Sequence, residues 1–284
     1  MDIEMVFPSL GRFSGTFQSA ALGLRATTNA RSTQFSVLQS PILECNSAGI
    51  AVPDAISSRW TEACRETRTT QELLMSHSFS GLPSGHQTML LAHRAMVTDL
   101  ARIAEAASRL IAAPDVTRGA ALRSYVARVH ALIVHHHEGE DAFLWPRLRA
   151  LGADEGALAL LTAEHEELDK FLHDWSRAAR ELGAGGVAAA ELAQITMDVH
   201  ERIVAHAGDE EAELNHRIAP VLDGAVWKEF ETYMRKTAPL WTLRFMPAWL
   251  LSVAAPDELS GVPALPIARL FRGWLARTQQ TALG

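Results

Sequence analysis

From residue 86 onward, apolar residues recur three and four positions apart, the spacing that gathers side chains on one helix face. Four segments carry such a stripe. The first, 86–112, aligns His86, Leu90, His93, Val97, Leu100 and Ile103, and Pro114 with Asp115 ends it and opens the next. The second, 117–145, aligns Leu122, Tyr125, Val129, Leu132, His136, Glu140 and Phe143, with an expected stop at Trp145–Pro146. The third, 154–182, aligns Leu158, Leu161, His165, Leu168, Leu172 and Trp175 and ends at Gly183. The fourth, 187–217, aligns Leu192, Ile195, Val199, Ile203, His206, Glu210 and Leu214. Helices of roughly 25–30 residues with short links run antiparallel, so the pattern predicts an all-α, up-down-up-down four-helix bundle.

The flanks differ in texture. Residues 1–84 are rich in Ser, Thr and Gly and sustain no apolar period, so they are read as a poorly structured N-terminal extension. Met75 opens a segment that offers an alternative start. Residues 5–43 hold no acid and carry Arg12, Arg25 and Arg31, a composition shared by organellar transit peptides and plain extensions. The absence of a helical apolar stripe favours the plain extension, and no secretory pattern is present. The bundle is assigned to 85–218, and 219–284 to a C-terminal helical extension packing on it. In that extension Ile267, Leu270, Phe271, Trp274 and Leu275 suggest an apolar helix face after Pro266. Trp241, Phe245, Met246 and Trp249 suggest either core packing or a lid over the bundle's open end.

Composition narrows the classes. Of 284 residues, 48% are hydrophobic and 21% charged, enough to build a core. The 33 acids outnumber the 26 Lys and Arg, which leaves no basic stripe for nucleic acid. The apolar stretch 238–255 is interrupted by Arg244 and Pro247 and does not read as a membrane span. Cys45 and Cys64 form no disulfide framework. A cytoplasmic monomer or homodimer is the expectation. Histidine is the outlier: twelve occur, eleven of them between His86 and His216.

All four stripes are interrupted by histidine, and two carry glutamate one turn later. Polar groups on a core-facing stripe are costly unless something satisfies them, and no Lys or Arg shares those faces. A bound cation satisfies the whole cluster at once, as in other bundle-core metal sites. His136 with Glu140 and His206 with Glu210 sit at i, i+4, one turn apart on the same face. His93 and His165 add one nitrogen each. Six donors exceed what one tetrahedral zinc requires. Divided between two ions with bridging carboxylates, they suit a non-heme iron pair, oxo- or hydroxo-bridged. Mixed nitrogen and oxygen donors without thiolate rank iron first, with manganese behind it and copper and zinc further off.

The pieces LLAHRAM, HHHEGEDAFLWPRL, AEHEELDKFL and HAGDEEAEL, in that order on their stripes, resemble the hemerythrin-like (HHE cation-binding) family over about 86–230. The resemblance implies a four-helix bundle holding two iron ions, and the C-terminal segments resemble extensions of bacterial members. Oxygen-carrying hemerythrins place HxxxH on the third helix and HxxxxD on the fourth. Here the corresponding motifs are His165-xxx-Asp169 and His206-xxx-Glu210. The loss of a histidine donor points to the four-His, two-Glu subgroup, and so to redox turnover over reversible oxygen carriage.

Further candidates surround this set. Asp169 reads equally as a ligand or as a hydrogen-bond partner of one. Glu211 competes with Glu210, though the stripe favours Glu210. His86 lies two turns before His93, as a lesser candidate. His135 and His137 are placed outside the ligand set, with His137 able to orient it. His130, His173, His200 and His216 are assigned to the surface or to helix ends. The expected function is activation of dioxygen or peroxide, with a small organic substrate where the chemistry is oxygenation. The alternative is a non-catalytic sensor or store for O2, NO or iron.

Overall fold

The computed structural model describes residues 81–284; the expectations for Met75, the two cysteines and the transit-like stretch lie outside the described residues. Among the described residues there is no strand. Helix α1 runs Ser84–Ala112, α2 Val116–Gly139, α3 Trp145–Ala150, α4 Glu155–Glu181 and α5 Val187–Asn215. Three more follow: α6 Gly224–Thr237, α7 Thr242–Leu251 and α8 Leu265–Leu283. No helix among the described residues is long and apolar enough to cross a membrane.

Local chemistry sets the helix ends. Pro114 cannot extend α1, and the Asp115 carboxylate accepts from the N–H groups of Thr117 and Arg118 at 2.8 and 3.0 Å, capping α2. Asp154 caps α4 by accepting from Ala157 at 2.8 Å. The first turn of α2 presses on the α4–α5 link, where a methyl group at Gly119 would overlap the Gly183 carbonyl oxygen. The close approach therefore requires glycine.

The second helix differs from its expectation in an informative way. It does not stop at Trp145–Pro146. Residues Glu140–Leu144 form a π-helical turn that leads into α3, and the Trp145 N–H donates to the Glu140 carbonyl five residues back. A proline inside an α-helix crowds the carbonyl four residues before it; the wider π turn supplies room ahead of Pro146. The extra residue also shifts the register. Leu144 and Trp145 are buried, while Phe143, expected on the inward stripe, is only half-buried against α6. Its ring stacks on Tyr233 at 4.8 Å.

The interior has two apolar layers. One is built from α1, α2, α4, α5, α7 and α8, with Leu100, Ile133, Leu172, Trp175, Ile203 and Trp249 among its members. The other gathers Trp145, Leu158, Leu161, Leu214, Ile218, Trp227 and Phe230. Along α2, α4 and α5 the polar stripe residues fall between these layers.

The C-terminal helices serve the core. Phe245 and Trp249 lie beside Tyr125 and Asp99, so the packing reading holds for them and not the lid. The Asp99 carboxylate accepts from Tyr125 Oη at 2.5 Å and from Trp249 Nε1 at 2.6 Å, and Gln279 donates to the same Tyr125 oxygen at 3.0 Å. Burial pushes the Asp99 carboxyl up, against those donors. Arg94 pairs in a bidentate fashion with Glu258 at 2.5 and 2.9 Å. On α8, Leu275 is buried, but Ile267 and Leu270 are exposed and not part of an inward face.

Candidate metal centre

The four stripes converge. His93 from α1, His136 from α2, His165 from α4 and His206 from α5 are all buried, as are Glu140 and Glu210. Their donor atoms fall into two groups in which one atom per residue lies within 4.8 Å of the others. One group is His93, His136 and Glu210; the second is His137, Glu140, His165 and His206. Glu140 faces both, with Oε1 3.0 Å from His136 Nε2 and Oε2 3.5 Å from His165 Nε2. Glu210 does the same through one oxygen, 3.1 Å from His93 Nε2 and 3.6 Å from His206 Nε2.

His137 is the difference from the sequence reading. Instead of standing outside, it is buried, with its ring centre 4.7 Å from His165 and 5.1 Å from His206. The inward face of α2 is wider than one i, i+4 row. Val129, Ile133, His137 and Glu140 continue a second row beside Leu132 and His136, and all six are buried. The sequence signal for it is the apolar pair Val129 and Ile133 on an i, i+4, i+8 row with His137.

The other candidates separate cleanly. Asp169 is exposed on α4 because Leu168 and Leu172 take the inward positions after His165, and its charge acts on Glu138 instead. His86 is buried but stacks on Trp227 at 5.1 Å, outside both donor groups. Glu211 stands behind the site, with Oε1 3.0 Å from His93 Nδ1. His135 pairs with Thr237 at 3.0 Å, His173 is exposed, and His216 is exposed at the end of α5. His130 is half-buried with Nε2 3.1 Å from the Leu172 carbonyl oxygen. His200, assigned to the surface, is instead buried.

Two carboxylates close to the site were not singled out in the sequence. Glu164 Oε2 is 2.9 Å from His206 Nδ1, and Asp141 Oδ1 is 3.0 Å from His165 Nδ1. Each directly adjoins a stripe donor in sequence, Glu164 before His165 and Asp141 after Glu140, which was the legible hint.

Electrostatics describe a centre at odds with itself. Burial drives His93 toward its neutral form, but Glu210 and then Glu211 outweigh it and hold its pKa well above the ordinary imidazole value. Burial would raise Glu210 as well; the charge of His93 close beside it, with His206 and His136 behind, keeps it below the usual carboxylate range. For Glu140, burial and then the Glu210 charge push the carboxyl well up. His136 and His137 are pushed well down, by burial and by the neighbouring imidazoles.

A bound cation resolves these conflicts. Neither oxygen of Glu140 or of Glu210 receives a well-formed hydrogen bond, nor does His137 Nε2, although all are shut off from solvent. Buried carboxylates without well-formed hydrogen bonds are expensive, and their neighbours in this layer are imidazoles, with no Lys or Arg among them. Five imidazole nitrogens and two carboxylates, with no sulfur, are a donor set for one or two borderline cations. Fold and site thus define a cation-binding helical bundle. Residues 84–218 match the family model described as Hemerythrin HHE cation binding domain. No significant match was found among curated proteins or solved structures.

Proposed function

We propose that the domain holds two iron ions and uses them to bind and reduce dioxygen or peroxide. The observation that carries this reading is the pair of donor groups straddled by Glu140 and Glu210, buried carboxylates that otherwise lack hydrogen-bond donors. His93 and His136 would hold one ion, and His137, His165 and His206 the other, with the two carboxylates shared. Bound there, an iron pair would supply two one-electron couples for reducing the oxidant.

The chain's own residues supply the rest. Apolar layers on both sides, with Ile133, Leu168 and Ile203 on one and Leu144, Trp145 and Leu161 on the other, exclude bulk water. Loading requires His93 and Glu140 to release the protons that the empty centre favours, so iron affinity rises with pH. A second reading is favoured by His137. The sequence argument for turnover rested on four imidazoles; a fifth from α2 restores nitrogen richness and supports reversible binding or sensing of O2 or NO.

Anaerobic purification, iron analysis and optical spectra after exposure to O2 and H2O2 test both. Two irons per chain with oxidant consumption support turnover, whereas a lasting, reversible band supports carriage or sensing. Failure to bind iron, with no change between the wild type and His136→Ala or His206→Ala, overturns the di-iron proposal.

A further inference from the structure

The histidines of the centre have a second nitrogen, and its partners form a pattern. His93, His165 and His206 direct Nε2 inward, and a carboxylate stands at each Nδ1: Glu211 at 3.0 Å, Asp141 at 3.0 Å and Glu164 at 2.9 Å. The three acids come from three elements, α5, the π turn and α4. Among the described residues no carboxylate stands at Nδ1 of His136 or His137. Their acidic neighbours are the inward-facing Glu140 and, for His136, Glu210.

We infer that Glu211, Glu164 and Asp141 are positioning residues that fix the tautomer of His93, His206 and His165 and set the electron richness of the bound metal pair. The inference rests on the proposed cation pair. A carboxylate accepting the Nδ1–H leaves Nε2 as the lone-pair donor and makes the imidazole a stronger base. The spacing between inward nitrogens fits this. His165 Nε2 and His206 Nε2 are 3.1 Å apart. Glu164 pairs with the Nδ1 of His206 in a hydrogen bond, and the Asp141 carboxylate lies beside the Nδ1 of His165 without a well-formed one; a carboxylate at each Nδ1 favours the proton there, so two Nε2 lone pairs converge where a cation would sit.

Burial ranks the three. The side chain of Glu211 is 5% exposed, that of Glu164 24% and that of Asp141 40%. Solvent screening weakens a charge's hold on its partner, so the influence falls in the order Glu211, Glu164, Asp141. The π turn has a part in this. It carries Glu140 toward both donor groups and Asp141, the next residue, toward the outer edge of His165.

Amide and alanine variants of the full chain separate charge from geometry. Glu211→Gln, Glu164→Gln and Asp141→Asn keep an oxygen acceptor and so the tautomer, but remove the charge. The expected result is two irons per chain with a higher midpoint potential, the shift largest for Glu211→Gln and smallest for Asp141→Asn. Glu164→Ala and Glu211→Ala also lose the acceptor and should bind iron roughly 10–100-fold more weakly. Nitrogen-15 NMR of the zinc-loaded protein should show Nδ1-protonated His165 and His206, with His206 altered in Glu164→Ala.

Unchanged potential and affinity in all variants, with two irons bound, overturn the inference and leave the di-iron proposal standing. Loss of one iron in Glu211→Gln overturns it differently, by making Glu211 a ligand. Absence of iron from the wild type defeats the di-iron proposal itself. Far-UV circular dichroism and melting of the metal-free variants separate misfolding from these outcomes; Asp141→Asn, at a partly exposed position, should fold like the wild type.

Discussion

Replacing Glu140 with Gln should make the metal-free protein more stable and the metal-loaded protein less so. Glu140 is fully buried, and neither carboxyl oxygen receives a well-formed hydrogen bond. Burial and the Glu210 charge raise its pKa, so near neutral pH the fold carries the cost of a proton uptake or of an unpartnered charge. Such a group typically costs about 1–3 kcal/mol. A Gln side chain carries no charge, and its amide N–H can donate to His136 Nε2, which lies 3.0 Å from Oε1 in the wild type. Recovery of part of that cost raises the melting temperature by roughly 2–4 °C per kcal/mol for a unit of this size. Metal acts in the opposite sense. A ligand at a hundred times its Kd adds about 2.7 kcal/mol to the wild type, and the variant, lacking a shared ligand, gains far less. Differential scanning calorimetry of both proteins, anaerobically, with and without Fe(II), gives four melting temperatures. A metal-free variant that melts below the metal-free wild type, or an equal Fe(II) shift in both, would refute the reasoning.

Two other outcomes follow from groups outside the centre. Glu258→Ala removes the partner of buried Arg94 and the acceptor for the Ala255 N–H, and should cost about 3–5 kcal/mol in urea unfolding; replacing both Arg94 and Glu258 with Met should recover much of it. A loss no larger than an exposed pair gives would show that the pair is not insulated. His200, pushed down to about 4 by burial, stays neutral in the fold while an unfolded histidine takes up a proton near its ordinary 6.5. The unfolded chain then binds more protons between these values, so stability falls as pH drops from about 6.5 toward about 4, by roughly 1.4 kcal/mol per pH unit, and levels off below. His200→Leu should flatten that part of a stability profile; an unchanged slope would assign it to other groups.

The bundle was legible because its four apolar stripes are long and their ends carry ordinary caps and breakers. Six inward donors were legible because a histidine or glutamate on such a stripe has no reason to be there without a partner. His137 escaped because an apolar face wide enough to meet three neighbours covers two rows, and the reading followed only one. The register beyond Glu140 escaped for another reason. A π turn adds a residue without changing the apolar composition, so Phe143 and Leu144 look interchangeable until tertiary packing decides between them. Asp169 shows the converse: its spacing from His165 is ideal, yet Leu168 and Leu172 claim the inward side of α4. The Nδ1 carboxylates depend on which side chains face one another across helices, which no single stripe records.

The stretch that resembles a family ends at residue 218, but the interior does not. Phe245, Trp249, Leu275 and Leu283 belong to the same apolar layer as Leu100 and Ile133, and Glu258 and Gln279 complete polar pairs begun on the first two helices. The recognisable stretch and the shared apolar interior are therefore different lengths of chain. A protein shortened to its recognisable module would keep every inward donor, yet Arg94, one residue from His93, would face the solvent left by the missing tail. The surroundings of the inward donors thus depend in part on segments that supply none of those donors.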